Sequence, residues 1–526
     1  MQIPKNTRCY LLSICSGLML VLIFPRFDME PLAWFALVPL LYAIKDQSLA
    51  RASLCGFITG MVFYFFGLIW VVNTIVNFGK VPVILAYPIL GLLAAYLSFY
   101  ISLFCFLVGR LSRNLPVYTF MLAPLVWTAL EYLRSTHPQY GFSWLGLGYS
   151  QYKSLTIIQI AEYTGVYGIT TLIVLVNAGF HYLIHFWLSR KGSQYSTRQA
   201  ISVMGITLAV LAVCLFQGNQ ALQSYEKQTP SVNLQVALVQ GNIEQQFKWD
   251  SQHRQRIIDT YKNLTLKGAA RTPDLIVWPE AATPYQFEID EKETIALKAL
   301  VKQANTPLFF GSPYYVRGPT GVTSFNSAYL VSPGGDTLGR YDKIHLVPFG
   351  EFIPFKKLLG FVERMAQGIG NFGRGEKPTL FKAAGEKFGA SICYEIIFPD
   401  LVRQPVKQGA RFLVNITNDA WFGNSAASYQ HIAMAALRAV ENRTPIARAA
   451  NTGISGVIDP SGKIRDTTDL FVEDLVQTGI HLREGLLTYY TRNGDTFSHA
   501  CILLTVALVF FAQWNRPKDK KNPFSD

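Results

Sequence analysis

The chain has 526 residues, of which 50% are hydrophobic and only 15% charged, with a formal net charge of +13. Soluble domains carry roughly 25% charged residues, so this composition excludes an ordinary soluble globule and requires apolar surface buried in lipid. The positive balance does not point to nucleic acid, because many of the basic residues flank apolar runs, as membrane topology demands.

Apolar runs occur at Cys9–Pro25, Met29–Ile44, Leu54–Val76, Val81–Val108, Val117–Leu133, Tyr167–Trp187, Ala200–Phe216 and Phe497–Trp514. A spanning helix needs about 17–25 apolar residues, so about eight spans are expected. Met29–Ile44 is short and carries Pro39, which makes it the weakest of them. The first run has no clear small-residue cleavage site and reads as a span rather than a removed signal.

The loops then sort by charge. One side receives Lys5, Arg8, Lys45, Arg51, Arg110, Arg113, Arg190, Lys191, Arg198, Arg516, Lys518, Lys520 and Lys521. The other receives only Arg26, Lys80, Arg134 and Lys153 in its short loops. By the positive-inside rule both termini are expected to be cytoplasmic and the long segment before the last span to lie on the outer side, which in a diderm bacterium is the periplasm. The expected division is a membrane domain over 1–217, a periplasmic domain over 218–496, and a last span with a basic tail over 497–526. Glu131 and Arg134, three apart on one helix face, are expected to pair. Arg134 leads into an aromatic, glycine-rich loop, His137–Tyr152, which reads either as an interfacial belt or as a seat for lipid headgroups.

The outer segment changes character. Val232, Leu234, Val236 and Leu238 alternate and predict a half-buried strand. A polar helix is expected over Ser251–Lys267, and Leu275-Ile276-Val277-Trp278 predicts a fully apolar strand. A helix at Lys292–Gln303 and strands at Leu308–Gly311, Phe325–Val331 and Leu338–Tyr341 follow, the last two joined by the turn Pro333-Gly334-Gly335-Asp336. Further strands are expected before Cys393 and over Phe412–Ile416. A helix spans about Gln430–Asn442, and a hairpin turns at Asp459-Pro460-Ser461-Gly462. Mixed strands and helices over this length make one α/β core.

Cys393 stands out within it. Of seven cysteines, Cys9, Cys15, Cys55, Cys105, Cys214 and Cys501 lie in apolar stretches, so Cys393 has no disulfide partner in the outer domain. The run Phe388–Ile392 delivers its thiol to a strand end, where α/β chemistry usually sits. A reactive thiol needs a base, a cation or donors for an oxyanion, and access. Glu280 also follows an apolar strand directly. Lys343 and Glu351 follow a hairpin strand, with 63 residues from Glu280 to Lys343 and 50 from Lys343 to Cys393. Such gaps suit residues that converge through folding. Residue chemistry alone leaves a Glu–Lys–Cys set and a Cys–His pair with His345 or His431 both open.

Trp278-Pro279-Glu280, Tyr341-Asp342-Lys343 and Ile392-Cys393-Tyr394-Glu395 resemble, in this order, the three signatures of the nitrilase, or carbon–nitrogen hydrolase, superfamily. With flanking spans the resemblance narrows to the apolipoprotein N-acyltransferases of bacterial envelopes. Similar pieces are Gln240-Gly241-Asn242-Ile243, Lys248-Trp249-Asp250, His345 to Glu351, Thr417 to Gly423, Trp144 to Gln151 and Gly165 to Gly168. One departure is Ala427-Ser428-Tyr429-Gln430, where the family often has a Gly-Pro pair.

The resemblance implies a nitrilase-like αββα sandwich on the periplasmic side of a multi-pass helical membrane domain, in the bacterial inner membrane. It implies acyl transfer in which Cys393 takes a chain from a phospholipid, typically the sn-1 chain of phosphatidylethanolamine, as a thioester. The α-amino group of a diacylglyceryl-cysteine at a lipoprotein N-terminus then receives it. Glu280 is the implied general base, Lys343 the oxyanion partner with the Tyr394 N–H, and Glu351 a residue that orients Lys343 or substrate. Tyr394 and Glu395 flank the nucleophile and shape its site. Trp249 and Trp421 are candidate lipid contacts. The glycine-rich segment Gly360–Gly375, with Phe361, Met365 and Phe372, is a candidate lid that dips into the bilayer. No cofactor is expected, the Cys and His spacings offer no zinc pattern, and a monomer is expected. The nearest rival is a membrane-bound amidase using water as acceptor, which eight spans argue against because a tether needs one. A transporter with an outer sensor domain would want paired intramembrane charges, and the runs have almost none beyond Glu131.

Overall fold

The computed structural model describes residues 4–112, 119–136, 141–188, 197–227, 234–318, 321–353 and 372–514. Among the described residues, each apolar run of the sequence falls largely on helical structure. Among the described residues, four helices are long and apolar enough to cross a membrane: Leu49–Gly67, Val83–Ser112, Val166–Leu188 and Thr197–Lys227. Shorter apolar helices cover Thr7–Leu22, Glu30–Ile44 and Thr496–Phe511, and Thr119–Thr136 forms a further helix containing Pro124.

Two of the expected spans are broken. Met29–Ile44 is a 3-10 turn over Glu30–Trp34 followed by a short α-helix, Val38–Ile44, with its Pro39 in the first turn, where a missing N–H costs nothing. Leu54–Val76 divides into Leu49–Gly67 and a second helix, Trp70–Asn77. The helix expected to stop at Phe216 continues to Lys227, just short of the first strand. Close approach needs small residues here: a Cβ on Gly60 would meet Ser98 of the Val83–Ser112 helix at 2.7 Å.

Among the described residues the outer part forms two six-stranded sheets. The strands are β1 (Leu234–Gln240), β2 (Leu275–Val277), β3 (Leu308–Gly318), β4 (Gly321–Val331), β5 (Thr337–Asp342), β6 (Leu380–Ala383), β7 (Glu386–Ile392), β8 (Phe412–Thr417), β9 (Ile446–Ala450), β10 (Gly456–Ile458), β11 (Ile464–Arg465) and β12 (Asp474–Ile480). One sheet runs β12-β1-β2-β3-β4-β5, the other β11-β10-β9-β8-β7-β6. β1, β2 and β3 are parallel, as are β7, β8 and β9, and the outer strands pair antiparallel.

Central strands read as unbroken apolar runs because both faces are covered, and every residue of β8 is buried. Between the sheets Phe309 of β3 meets Phe381 of β6 and Phe388 of β7, with ring centroids 5.1 and 5.3 Å apart. Helices Arg254–Ala269 and Glu291–Ala304 pack outside the first sheet, and Pro399–Lys407 and Ala426–Asn442 outside the second. This is the expected αββα sandwich. β6, β9 and β12 are not among the strands expected from the sequence. β12 closes the edge of β1 by antiparallel pairing over its full length.

The two parts are docked through polar contacts. The Thr74 hydroxyl donates to the Trp421 carbonyl at 2.9 Å, Arg443 pairs with Glu162 at 2.8 Å, and the Val166 N–H donates to Glu441 at 2.9 Å.

Candidate active site

Parallel strands deliver their C-terminal ends to one edge. β2 is followed by Trp278-Pro279-Glu280, and Gly311 on neighbouring β3 makes room for that turn. A Cβ on Gly311 would lie 2.4 Å from the Ala281 nitrogen and 2.7 Å from the Glu280 Cα. Lys343 leaves β5 with its N–H bonded to the Asn326 carbonyl on β4 at 2.9 Å. Cys393 leaves β7 in a left-handed backbone conformation, φ +53°. Such a position costs about 1–3 kcal/mol for a non-glycine residue and is held only where the surroundings over-determine it.

Glu395 supplies that constraint. Its buried carboxylate accepts from the N–H groups of Ile392 (2.7 Å), Ile344 (2.6 Å) and His345 (3.0 Å), and from the Tyr341 hydroxyl at 2.8 Å. One side chain therefore ties the turn after β7 to the chain following Lys343. Tyr394 packs against Phe398 at 5.1 Å between ring centroids.

The polar groups converge as follows. Lys343 Nζ lies 2.9 Å from Glu351 Oε1 and 3.6 Å from Glu280 Oε1. Asn326 Nδ2 donates to both carboxylates, at 2.7 Å to Glu280 and 2.9 Å to Glu351. Glu280 Oε2 accepts from the Asn418 N–H at 2.8 Å, and Glu351 Oε2 from the Val347 N–H at 2.9 Å. Lys248 Nζ donates to the Glu280 carbonyl at 3.1 Å.

Burial would lower the Lys343 ammonium, but Glu351 and Glu280 overrule it and hold the group protonated well above the usual lysine range. Burial and the Glu280 charge push the Cys393 thiol far up, with Lys343 only partly offsetting them. The thiol is therefore protonated at rest and needs a base to become a nucleophile.

The two histidines of the open alternative sit elsewhere. His345 stacks on Phe398 with centroids 3.7 Å apart, and burial lowers it to about 4. His431 lies 3.2 Å from the Cys393 carbonyl through Nε2, and its Nδ1 lies 3.0 Å from an Arg448 nitrogen. The same Nδ1 lies 3.2 Å from Asp419 Oδ1, and burial followed by Arg448 lowers this group too. Arg448 also pairs with Asp419 at 3.0 Å, and the Thr417 hydroxyl donates to Asp419 at 2.8 Å. This fully buried layer meets the turn after β7 through the contact of His431 with the Cys393 carbonyl.

Asn326, Asn418, Lys248, Asp419 and Arg448 were not among the expected site residues. Asn418, Asp419 and Lys248 lay inside recognised sequence pieces and were legible there. Asn326 and Arg448 sit within strands, where a lone polar residue gives no signal.

The candidate lipid residues are dispersed. Trp249 is 55% exposed. Trp421 packs on Phe78 at 4.6 Å, at the junction with the apolar helices, so its place is interface packing. Phe372 is half-buried, and its N–H donates to the Glu351 carbonyl at 3.1 Å. Phe361 and Met365 lie outside the described residues. Glu131 and Arg134 form no pair with each other. Glu131 accepts from the Leu147 N–H at 3.0 Å and the Thr170 hydroxyl at 2.6 Å. Arg134 donates to the Trp144 carbonyl at 2.8 Å, so both hold the 141–152 loop from below. The Trp144 ring of that loop stacks on His431 at 5.6 Å, and its N–H donates to Gln430 at 2.7 Å.

A sandwich of this topology, with a buried Glu, Lys and Cys at one strand edge, defines the carbon–nitrogen hydrolase class, and residues 235–485 match the carbon-nitrogen hydrolase family model. Residues 16–179 match the model for the apolipoprotein N-acyltransferase N-terminal domain. The apolipoprotein N-acyltransferase of Geobacter metallireducens is 40% identical over 501 residues, covering 95% of this chain and 94% of that protein. That of Haemophilus influenzae is 33% identical over 507 residues, covering 95% and 94%. An amidase from Nesterenkonia sp. is a similar solved structure, 20% identical, covering 52% of this chain and 97% of its own, with a TM-score of 0.38. The chain belongs to the apolipoprotein N-acyltransferase family, acyltransferases of the carbon–nitrogen hydrolase superfamily.

Proposed function

We propose that this acyltransferase moves one acyl chain from a membrane phospholipid to a lipoprotein, through a thioester on Cys393. The donor is the sn-1 chain of phosphatidylethanolamine, and the acceptor is the α-amino group of an N-terminal diacylglyceryl-cysteine. The observation that carries this reading is the buried thiol, protonated at rest, within electrostatic range of the Glu280–Lys343–Glu351 cluster.

Glu280 takes the thiol proton as sulfur attacks the ester carbonyl. The carbonyl π pair moves onto oxygen, where Lys343 and the Tyr394 N–H stabilise it. Collapse breaks the ester C–O bond, and the lysophospholipid leaves with the proton that Glu280 held. In the second half the acceptor amine attacks the thioester carbonyl and gives its proton to Glu280. The C–S bond breaks, and the proton returns to sulfur. A covalent intermediate separates two bulky lipid substrates in time. Glu351 holds Lys343 between the two carboxylates.

The membrane part, 1–217, contributes seven of eight spans, and the last lies in 497–526. Both termini are cytoplasmic, the catalytic domain over 218–496 is periplasmic, and the protein acts as a monomer in the inner membrane. The docking contacts between the parts support a platform that brings lipid to the site.

The test is full-length Cys393→Ala in mixed micelles with acyl-labelled phosphatidylethanolamine. Wild type forms a hydroxylamine-sensitive label that a diacylglyceryl-lipopeptide discharges, and the variant forms none. Label retained on the variant overturns the reading.

A further inference from the structure

Lys248 is the one cation of the cluster that no step above uses. It lies in a run of turns after β1, and its side chain is only 2% exposed. Its ammonium donates to the Glu280 carbonyl at 3.1 Å. Among the described residues no carboxylate comes within ion-pair distance of it, although Glu280 and Cys393 both lie within electrostatic range. A buried charge without a resident counter-ion is costly, by several kcal/mol as an order of magnitude.

The charge balance of the site gives that cost a purpose. Glu280 and Glu351, when ionised, are offset by Lys343 and Lys248, while the further buried carboxylate, Glu395, is raised by burial and is met by the Ile392, Ile344 and His345 N–H groups and the Tyr341 hydroxyl. Lys343 is committed to Glu351 at 2.9 Å. When the Cys393 proton moves to Glu280, the negative charge passes to sulfur and then to the carbonyl oxygen. The balance among these four groups is kept only if Lys248 is protonated. Without it the same step proceeds in a buried site carrying one uncompensated negative charge, at low dielectric.

We propose that Lys248 is a positioning residue of the acyl-transfer reaction: its ammonium anchors the Glu280 main chain and balances the negative charge that travels from Glu280 through Cys393 to the oxyanion. This rests on the thioester reading above. The charge is also titratable in the working range, because burial lowers Lys248 to about 8, with Glu280 and Cys393 partly restoring it. Lys343, held far higher, stays charged.

The test is single-turnover thioester formation by the full-length enzyme from labelled phosphatidylethanolamine, between pH 6 and 9.5. Wild type is expected to slow above about pH 8 as Lys248 loses its proton. Lys248→Met keeps the stem and removes the charge. It is expected to lose about tenfold or more in rate at pH 7, in the range of lost electrostatic stabilisers, and to lose the alkaline limb. Lys248→Arg is expected to restore rate to within a few fold and to carry no alkaline limb, since guanidinium does not titrate there. A merely structural lysine would not move the limb. Wild-type rate and profile in Lys248→Met overturn the proposal. If that variant fails to fold, a wild-type alkaline limb surviving in Lys248→Arg overturns it equally. Thioester retained by Cys393→Ala would instead overturn the nucleophile assignment.

Discussion

Asn326→Ala removes a neutral side chain that, beside the Lys343 ammonium, bridges both carboxylates of the site. Its amide nitrogen spends one hydrogen on Glu280 at 2.7 Å and the other on Glu351 at 2.9 Å. Hydrogen bonds to charged groups are worth about 1.5–3 kcal/mol each. Glu280 would keep the Asn418 N–H at 2.8 Å and the Lys343 ammonium at 3.6 Å, and Glu351 its contacts with Lys343 and the Val347 N–H. The base therefore loses one bond of three, which at 1.36 kcal/mol per decade predicts acyl-enzyme formation slowed roughly ten- to a hundred-fold. Asn326→Asp sharpens the test. It is nearly isosteric but sets a third carboxylate within about 3 Å of two others, where like charges cannot all ionise. It should be slower than Asn326→Ala at pH 7.5 and recover in part as the pH is lowered. The assay is stopped-flow or quench measurement of label on Cys393, with thermal melting as a check on folding. An Asp variant that equals or exceeds the Ala variant would refute the claim that this side chain acts as a donor between two ionised carboxylates.

Three further outcomes follow from the same geometry. Burial would raise Asp419, but Arg448 and His431 hold it well below the usual carboxylate range. Its stabilisation is therefore full above the unfolded value near 3.8 and lost as pH falls toward the folded one. Asp419→Asn leaves Arg448 underpaired and should cost about 3–5 kcal/mol at pH 7, with the gap in melting temperature from wild type narrowing below about pH 4. Glu395→Gln turns an amide NH2 toward backbone donors. It should lower the melting temperature and slow thioester formation together, at a cost of about 2–4 kcal/mol, whereas a change confined to one of the two would contradict its role as a clamp. Trp249→Ala, at an exposed position, should leave stability within about 0.5 kcal/mol of wild type, while Trp421→Ala, which strips the contact with Phe78, should destabilise it measurably in detergent.

Much of this protein was legible as sequence because its signals are local. Apolar runs record the length of a helix that meets lipid, so each run, among the described residues, falls largely on helical structure. Continuous apolar strands followed at once by Glu280 or Cys393 record sheets covered on both faces with chemistry at their ends. Three short signatures in order then identified the family. Other features depend on what lies beside a residue in space, and no local pattern encodes that. β12 pairs with β1 across more than 230 residues, so only the folded sheet reveals it. Glu131 and Arg134 are helix neighbours suited to an ion pair, yet each bonds the 141–152 loop, because buried N–H and carbonyl groups there have no water to satisfy them. Asn326 reads as one polar residue in a strand until β4 sets it between two glutamates. Lys248 reads as a surface lysine until burial and the Glu280 carbonyl make it part of the site. The sequence by itself singled out the side chains proposed to carry the chemistry. Tertiary structure decided which groups hold their charges in place, since a buried charge is set by neighbours that approach from distant strands.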